Sequence, residues 1–362
     1  NVKWIETHLL EKLKGRRFSS FSELNAEISI IIDELNNREF SKEKGNRKEL
    51  FDKYNEKKIK FIEIENHNNI EELRTKENKE FANLKRNLII GIRKTHKFVP
   101  NYKVSNYLVP YTSSGCTAMC LYCYLVCNYN KCSYLRLFVN REEMLDKIKR
   151  VANKEEKDLV FEIGSNSDLI LENTITNNLV WTIEEFKNNP KGLLTFPTKF
   201  DMVDPILPLN HKGKVIARMS VNPKEIIRTI EIGTSPLEKR VQAINKLAEA
   251  GYKIGILIAP VILVKNWKIQ YEELLKFLEN NLSEKAKKKI FFEIIFMTYS
   301  YVHRMINSEA FPTLVNLYNQ DIMTGRGKGK YCYRPDVRKE AEKDILELMH
   351  RYFPNNEIKY VS

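Results

Sequence analysis

Six short, almost unbroken apolar runs, spaced along the chain with helical patterns between them, limit the fold more than any other feature of this 362-residue sequence. They are YLVPYT (107–112), DLVFEIG (158–164), LLTFPT (193–198), KVIARMSV (214–221), IGILIAP (254–260) and IFFEIIF (290–296). A strand with one wet face alternates apolar and polar residues; a strand buried on both faces does not, and such strands belong to parallel sheets. Helical spacing over 141–152, 168–187, 236–250 and 268–280 supplies the crossovers that parallel strands need. Serial β/α units predict an α/β fold, a partial (β/α)6 barrel of the TIM type, whose chemistry gathers at the C-terminal ends of the strands.

The pattern covers only part of the chain. Four segments are expected: a helical extension over 1–55, a charged linker and barrel entry over 56–105, the partial barrel over 106–300, and a substrate-contacting segment over 301–362. In the first segment Ser22 is placed to cap a helix with Glu23 and Glu27 in its early turns, and in the second IKFIEI (59–64) reads as a short strand. A hydrophobic content of 43% fits a globular protein. No apolar run reaches bilayer length and no signal-peptide pattern opens the chain, so a cytoplasmic, thiol-reducing setting is expected. Sixty Lys and Arg against 47 Asp and Glu leave a net charge of +13, which suits either a polyanionic partner such as nucleic acid or a solvated basic surface.

Five of the six cysteines crowd into residues 113–132, SSGCTAMCLYCYLVCNYNKC. Cys116, Cys120 and Cys123 are spaced C-x3-C-x2-C immediately after the first apolar run. Three thiolates on one short loop suit three irons of a [4Fe–4S] cluster, leaving the fourth iron open to an outside molecule. A structural zinc site is the competing assignment, with Cys127 or Cys132 as fourth ligand, but zinc sites usually pair two short cysteine units and no second unit is present.

The cysteine spacing at the head of a β/α series resembles the radical S-adenosylmethionine superfamily. Longer stretches are similar to the spore photoproduct lyase family in order and spacing: IIGIRKTHKFVPNYKVSNYLVPYTSSGCTAMCLYCYL, YLRLFVN, LTFPTKFDMVDPIL, ARMSVNP, EKRVQAINKLAEAGYKIGILIAPV and FPNNEIKYVS. The likeness runs from about residue 57 to 362. It implies a [4Fe–4S] cluster on Cys116, Cys120 and Cys123, S-adenosylmethionine on the fourth iron, and a 5′-deoxyadenosyl radical that reverses the methylene-bridged thymine dimer in DNA. It also implies an electron donor such as ferredoxin or flavodoxin.

By the same resemblance Ser167, Lys199 and Ser220 contact S-adenosylmethionine. A lysine suits its carboxylate and hydroxyls its ribose; without the family, Lys199 and Ser220 read as a surface lysine and a strand-end residue. Tyr122 and Tyr124 match tyrosines that return a hydrogen atom to the cofactor. In GRGKGKYCYR (325–334), Arg326 matches a DNA-contacting arginine, and Lys328 and Lys330 add cations that can meet phosphates. Two departures stand out. Gly327 replaces an aromatic, and Ser165 replaces the cysteine that donates hydrogen to the product radical. An O–H bond is much stronger than S–H, so the donor is expected elsewhere, with Cys332 preferred over Cys127 and Cys132.

NAEISIIIDELNNREFSKEKGNRKELFDKY resembles instead the region beyond the catalytic core of insertion-sequence DDE transposases, which implies a fusion remnant over residues 1–55. Two alternatives to lesion repair stay open on the sequence: the same radical chemistry on another substrate, and an inactive fusion or DNA-binding module.

Overall fold

The structure, a computed structural model, describes residues 62–65, 67, 70–73, 77–123, 125 and 134–362, with isolated positions before residue 62. The chain divides into two compact units, Asn1–Glu65 and Asn66–Ser362. In the first, the described positions 27, 28, 30, 31, 33, 34 and 37 are helical; Ser22 and Glu23 lie outside the described residues. Residues 62–64 of the expected IKFIEI strand carry no strand, and 59–61 lie outside the described residues.

The second unit is built on an eight-stranded sheet. In spatial order its strands are β14 (Ile358–Val361), β10 (Ile290–Phe296), β9 (Lys253–Val261), β8 (Val215–Val221), β7 (Leu193–Thr198), β6 (Val160–Glu162), β3 (Tyr107–Leu108) and β2 (Val99–Pro100). All neighbours from β3 to β14 pair in parallel, and β2 adds an antiparallel edge. This is the curled half-barrel expected from the apolar runs. Every residue of β8 is buried, as a strand covered on both faces requires.

Helices cover the outer face. They include α2 (Arg141–Lys154), α6 (Leu237–Glu249) and α7 (Trp267–Asn281), close to the expected spans. The single helix expected over 168–187 is two, α3 (Leu169–Thr176) and α4 (Asn178–Phe186), because Asn177 takes a left-handed φ of 55° between them. The Asn173 side chain accepts from Leu179 N and Val180 N, satisfying the donors that the break frees.

A second correction concerns the approach to the cysteines. The run YLVPYT stays in the barrel sheet only over Tyr107–Leu108. The chain then enters a separate three-stranded sheet, in which β5 (Leu135–Phe138) lies between β1 (Leu88–Gly91) and β4 (Ser113–Ser114). A third sheet, β11 (Thr298–Ser300), β13 (Lys330–Tyr333) and β12 (Met323–Gly327), carries a hairpin beside the barrel. The strand β14 was not expected; it extends the sheet next to β10, and Lys103 Nζ donates to Ser362 Oγ just beyond it (2.8 Å).

Candidate active site

A cavity of about 440 Å³ opens where β6, β7, β8, β9 and β10 end, and the cysteine loop forms one of its walls. The loop turns at Gly115, whose φ is +84°; a Cβ there would lie 2.1 Å from the Tyr134 carbonyl, so only glycine fits. Gly115 N donates to Asn166 O (2.8 Å), and Met119 N and Leu121 N donate to Ile232 O and Ile230 O (2.8 and 3.0 Å). The loop is thus sewn to two separate segments of the barrel rim.

Cys116, Cys120 and Cys123 all line the cavity. Burial pushes the Cys116 thiol up to about 12, with Asp168 adding to the effect, and lifts Cys120 well above the usual range beside Glu231. These thiols ionise only against a strong positive partner. Among the described residues no three His, Cys, Asp or Glu side chains converge on a point where one ion would sit. Three thiols around one shared cavity suit a cluster, which takes one thiolate per iron. The residues present therefore fit the [4Fe–4S] assignment.

Beside the cysteine loop lies a buried carboxylate absent from the expected site. Glu231 accepts from Lys199 Nζ (3.0 Å), Asn222 Nδ2 (2.9 Å), Arg240 Nη2 (2.7 Å) and the Tyr122 hydroxyl. Burial alone would raise its pKa; Lys199 and Arg240 outweigh that and hold it at about 2. Burial and Glu231 together push Tyr122 well above its ordinary value, so its hydroxyl keeps its hydrogen. Lys199 Nζ also contacts Ser220 Oγ (2.5 Å) and Ala259 O (2.9 Å). One carboxylate thereby orients two of the residues singled out from the sequence, Tyr122 and Lys199, and reaches Ser220 through Lys199.

Ser165 and Ser167 line the cavity from the loop after β6. Ser167 Oγ lies 2.6 Å from Ser113 Oγ, which in turn donates to buried Glu172 (2.6 Å). Asp168 caps α3 through Ile170 N and Leu171 N and accepts from Lys199 N (2.9 Å), locking the ends of β6 and β7 together. Deeper in the barrel, Arg218 makes a forked contact to Glu293 (2.7 and 2.9 Å) and pairs with Glu162, and the Tyr360 hydroxyl donates to Glu293 (2.7 Å). Arg218 and Glu162 line the cavity floor.

Cys332 is not among the cavity-lining residues, but it lies opposite Thr298 in the β11–β13 pair, and Thr298 lines the cavity mouth. Paired residues share a sheet face, so Cys332 lies on the face that continues the mouth. Arg326, Lys328 and Lys330 lie at the exposed tip of the β12–β13 hairpin, apart from the cavity wall. Tyr124, Cys127 and Cys132 lie outside the described residues.

A half-barrel with a three-thiol loop and a deep cavity at its C-terminal rim is the layout of radical S-adenosylmethionine proteins. Comparison with known proteins narrows the class. The profile of the spore photoproduct lyase family matches residues 37–362, and the chain belongs to that family. It is 32% identical over 318 residues to spore photoproduct lyase of Bacillus subtilis, covering 86% of this chain and 93% of that protein. It is 31% identical over 282 residues to the Clostridium acetobutylicum lyase, covering 76% and 83%. A solved double mutant of spore photoproduct lyase, with bound AdoMet and dinucleoside spore photoproduct, superposes with a TM-score of 0.79 at 29% identity, covering 87% of this chain and 94% of that one. The family match begins at residue 37, so it reaches further toward the N-terminus than the start near residue 57 expected from the sequence, and into the extension expected over 1–55.

Proposed function

We propose that this chain is a radical S-adenosylmethionine lyase that restores two thymines from the methylene-bridged thymine dimer in DNA. The observation that carries the reading is the sharing of one cavity by Cys116, Cys120, Cys123, Tyr122, Ser167, Lys199 and Ser220. When bound, the cluster and S-adenosylmethionine supply a 5′-deoxyadenosyl radical that takes a hydrogen atom from the lesion.

The chain's own residues do the rest. Cys116, Cys120 and Cys123 hold the cluster. Ser167, Lys199 and Ser220 hold S-adenosylmethionine, and Lys199 accepts a carboxylate by exchanging one of its three present contacts. Glu231 keeps Tyr122 protonated and aimed, so that Tyr122, with Tyr124, returns hydrogen after fragmentation. Walls sewn to the rim position the reacting groups and exclude water. Cys332 quenches the product radical, a role that Ser165 cannot fill. Arg326, Lys328 and Lys330 take DNA phosphates.

A ferredoxin or flavodoxin donates the electron, and the cytoplasm is the compartment; no helix among the described residues is long and apolar enough to cross a membrane. The transposase-derived origin proposed for the N-terminal stretch rests on the sequence resemblance, and residues 1–36 lie outside the family match.

The test is an anaerobic assay of reconstituted, dithionite-reduced protein with S-adenosylmethionine and dinucleoside spore photoproduct. Thymine release well beyond 5′-deoxyadenosine formation is expected, and Cys332→Ala should divert product to other adducts. Adenosine-radical turnover without thymine would favour another substrate, to which Ser165 and Gly327 already point.

A further inference from the structure

Three backbone carbonyls of the cysteine loop are each held by a side chain from elsewhere. Asn307 Nδ2, on α9 (Tyr301–Ala310), donates to Leu121 O (2.7 Å), and one turn earlier the His303 ring is hydrogen-bonded to the Cys123 backbone. Lys85, immediately after the short helix α1 (Phe81–Leu84), donates from Nζ to Cys116 O (2.7 Å) and lies 5.4 Å from the Phe81 ring centroid. Asn307 is neutral, and burial lowers His303 to about 4, so it is neutral too. Of the three braces only Lys85 brings a charge. Burial lowers its pKa from the ordinary lysine value, and Cys116, Cys123 and Cys120 act against that by favouring the ammonium.

A cluster on three thiolates becomes more negative when it accepts an electron. A partly buried cation beside the thiolates stabilises the reduced form over the oxidised one, as do hydrogen bonds and charges around iron–sulfur sites in general. We propose that Lys85 is a positioning residue that raises the reduction potential of the cluster held by Cys116, Cys120 and Cys123, easing the electron transfer that starts each turnover. This rests on the cluster assignment made above.

The experiment is an EPR-monitored redox titration of the reconstituted full chain, without substrate, alongside iron and sulfide analysis. Lys85→Gln keeps a donor for the Cys116 carbonyl but removes the charge; Lys85→Arg keeps the charge. The expected result is at least about a tenfold loss in the reduction equilibrium constant for Lys85→Gln, about 59 mV for a one-electron couple, with Lys85→Arg near the parent. A parent-like potential in Lys85→Gln overturns the proposal, as does an equal fall in Lys85→Arg, which would make the effect one of packing. If Lys85→Gln fails to hold iron while Lys85→Arg holds it, the charge is required at an earlier stage and the electrostatic role stands. If neither holds iron, shape rather than charge matters and the proposal fails. Absence of iron and sulfide in the unsubstituted protein would instead sink the cluster assignment itself.

Discussion

The cysteine wall and the β12–β13 hairpin are built on opposite terms. On the wall the Glu231 side chain has no exposure, and its carboxylate is met by Lys199, Asn222, Arg240 and Tyr122. At the hairpin tip Gly327, Lys328 and Gly329 all take positive φ (85°, 51° and 68°), and a Cβ added at either glycine would touch nothing within 4 Å. A radical must be generated against one C–H bond, which demands a rigid wall. A phosphate backbone is gripped through long-range charge, which tolerates a loose, exposed loop. On the roles proposed above the contrast separates chemistry from grip, and substitutions should separate along the same line.

The largest effect is expected at the wall. Cys120→Ala should reduce S-adenosylmethionine cleavage to background, because a cube with two protein thiolates is poorly held. Arg326→Gln should leave cleavage of S-adenosylmethionine with the dinucleoside substrate nearly unchanged. Iron content and 5′-deoxyadenosine formation, measured on both variants, check this. A Cys120→Ala protein that still cleaves the cofactor would break the division at its root.

Next comes Glu231. Replacing it with glutamine leaves the buried Arg240 and the partly buried Lys199 without their counter-charge, and removing one partner of a buried ionic group costs about 3–5 kcal/mol. Urea unfolding of the apo chain should register most of that loss. The same measurement on Lys330→Gln should show a change within about 0.5 kcal/mol, as for other exposed positions.

Glu231 also shows where sequence reading stops. The half-barrel was legible because strands buried on both faces must be apolar along their length, as in β8 and β10. The cysteine triplet was legible because its spacing is set within one loop. Lys199 and Ser220 were placed at strand ends, and the structure brings both into the cavity. Glu231, Arg240, Lys85, His303 and Asn307 carry no such local signal. Their roles arise when segments far apart in the chain meet, and a buried charge looks like a surface charge until its partners are known. The broken helix at Asn177 was missed for a related reason: the cap that rewards the break comes from the Asn173 side chain.

Acid should probe the wall before it touches the hairpin. Burial lowers His303 from an ordinary 6.5 to about 4, so below pH 6.5 the unfolded chain binds a proton that the folded chain refuses. Stability from this group is complete above 6.5 and is lost as pH falls toward 4, by up to about 3 kcal/mol at 1.36 kcal/mol per unit. Glu231, held at about 2 against an ordinary 4.5, adds a further loss between those values. In His303→Gln the slope of unfolding free energy between pH 6.5 and 4 should flatten, measured by urea denaturation of the apo chain across that range. An unchanged slope would mean that His303 is not held neutral by the wall.

The smallest effects belong to the hairpin, and they sharpen the comparison most. Each of Arg326→Gln, Lys328→Gln and Lys330→Gln should weaken binding to duplex DNA uniformly across sequences and reduce the slope of log affinity against log salt by about 1, the signature of one lost phosphate contact. Thymine release from the dinucleoside lesion, which offers little backbone to grip, should stay near the parent value. If a hairpin variant loses turnover on the dinucleoside as well, the exposed tip shapes the cavity mouth through Thr298 and Cys332 on the adjoining strands. Grip and chemistry would then be joined across the three-stranded sheet rather than divided between two regions.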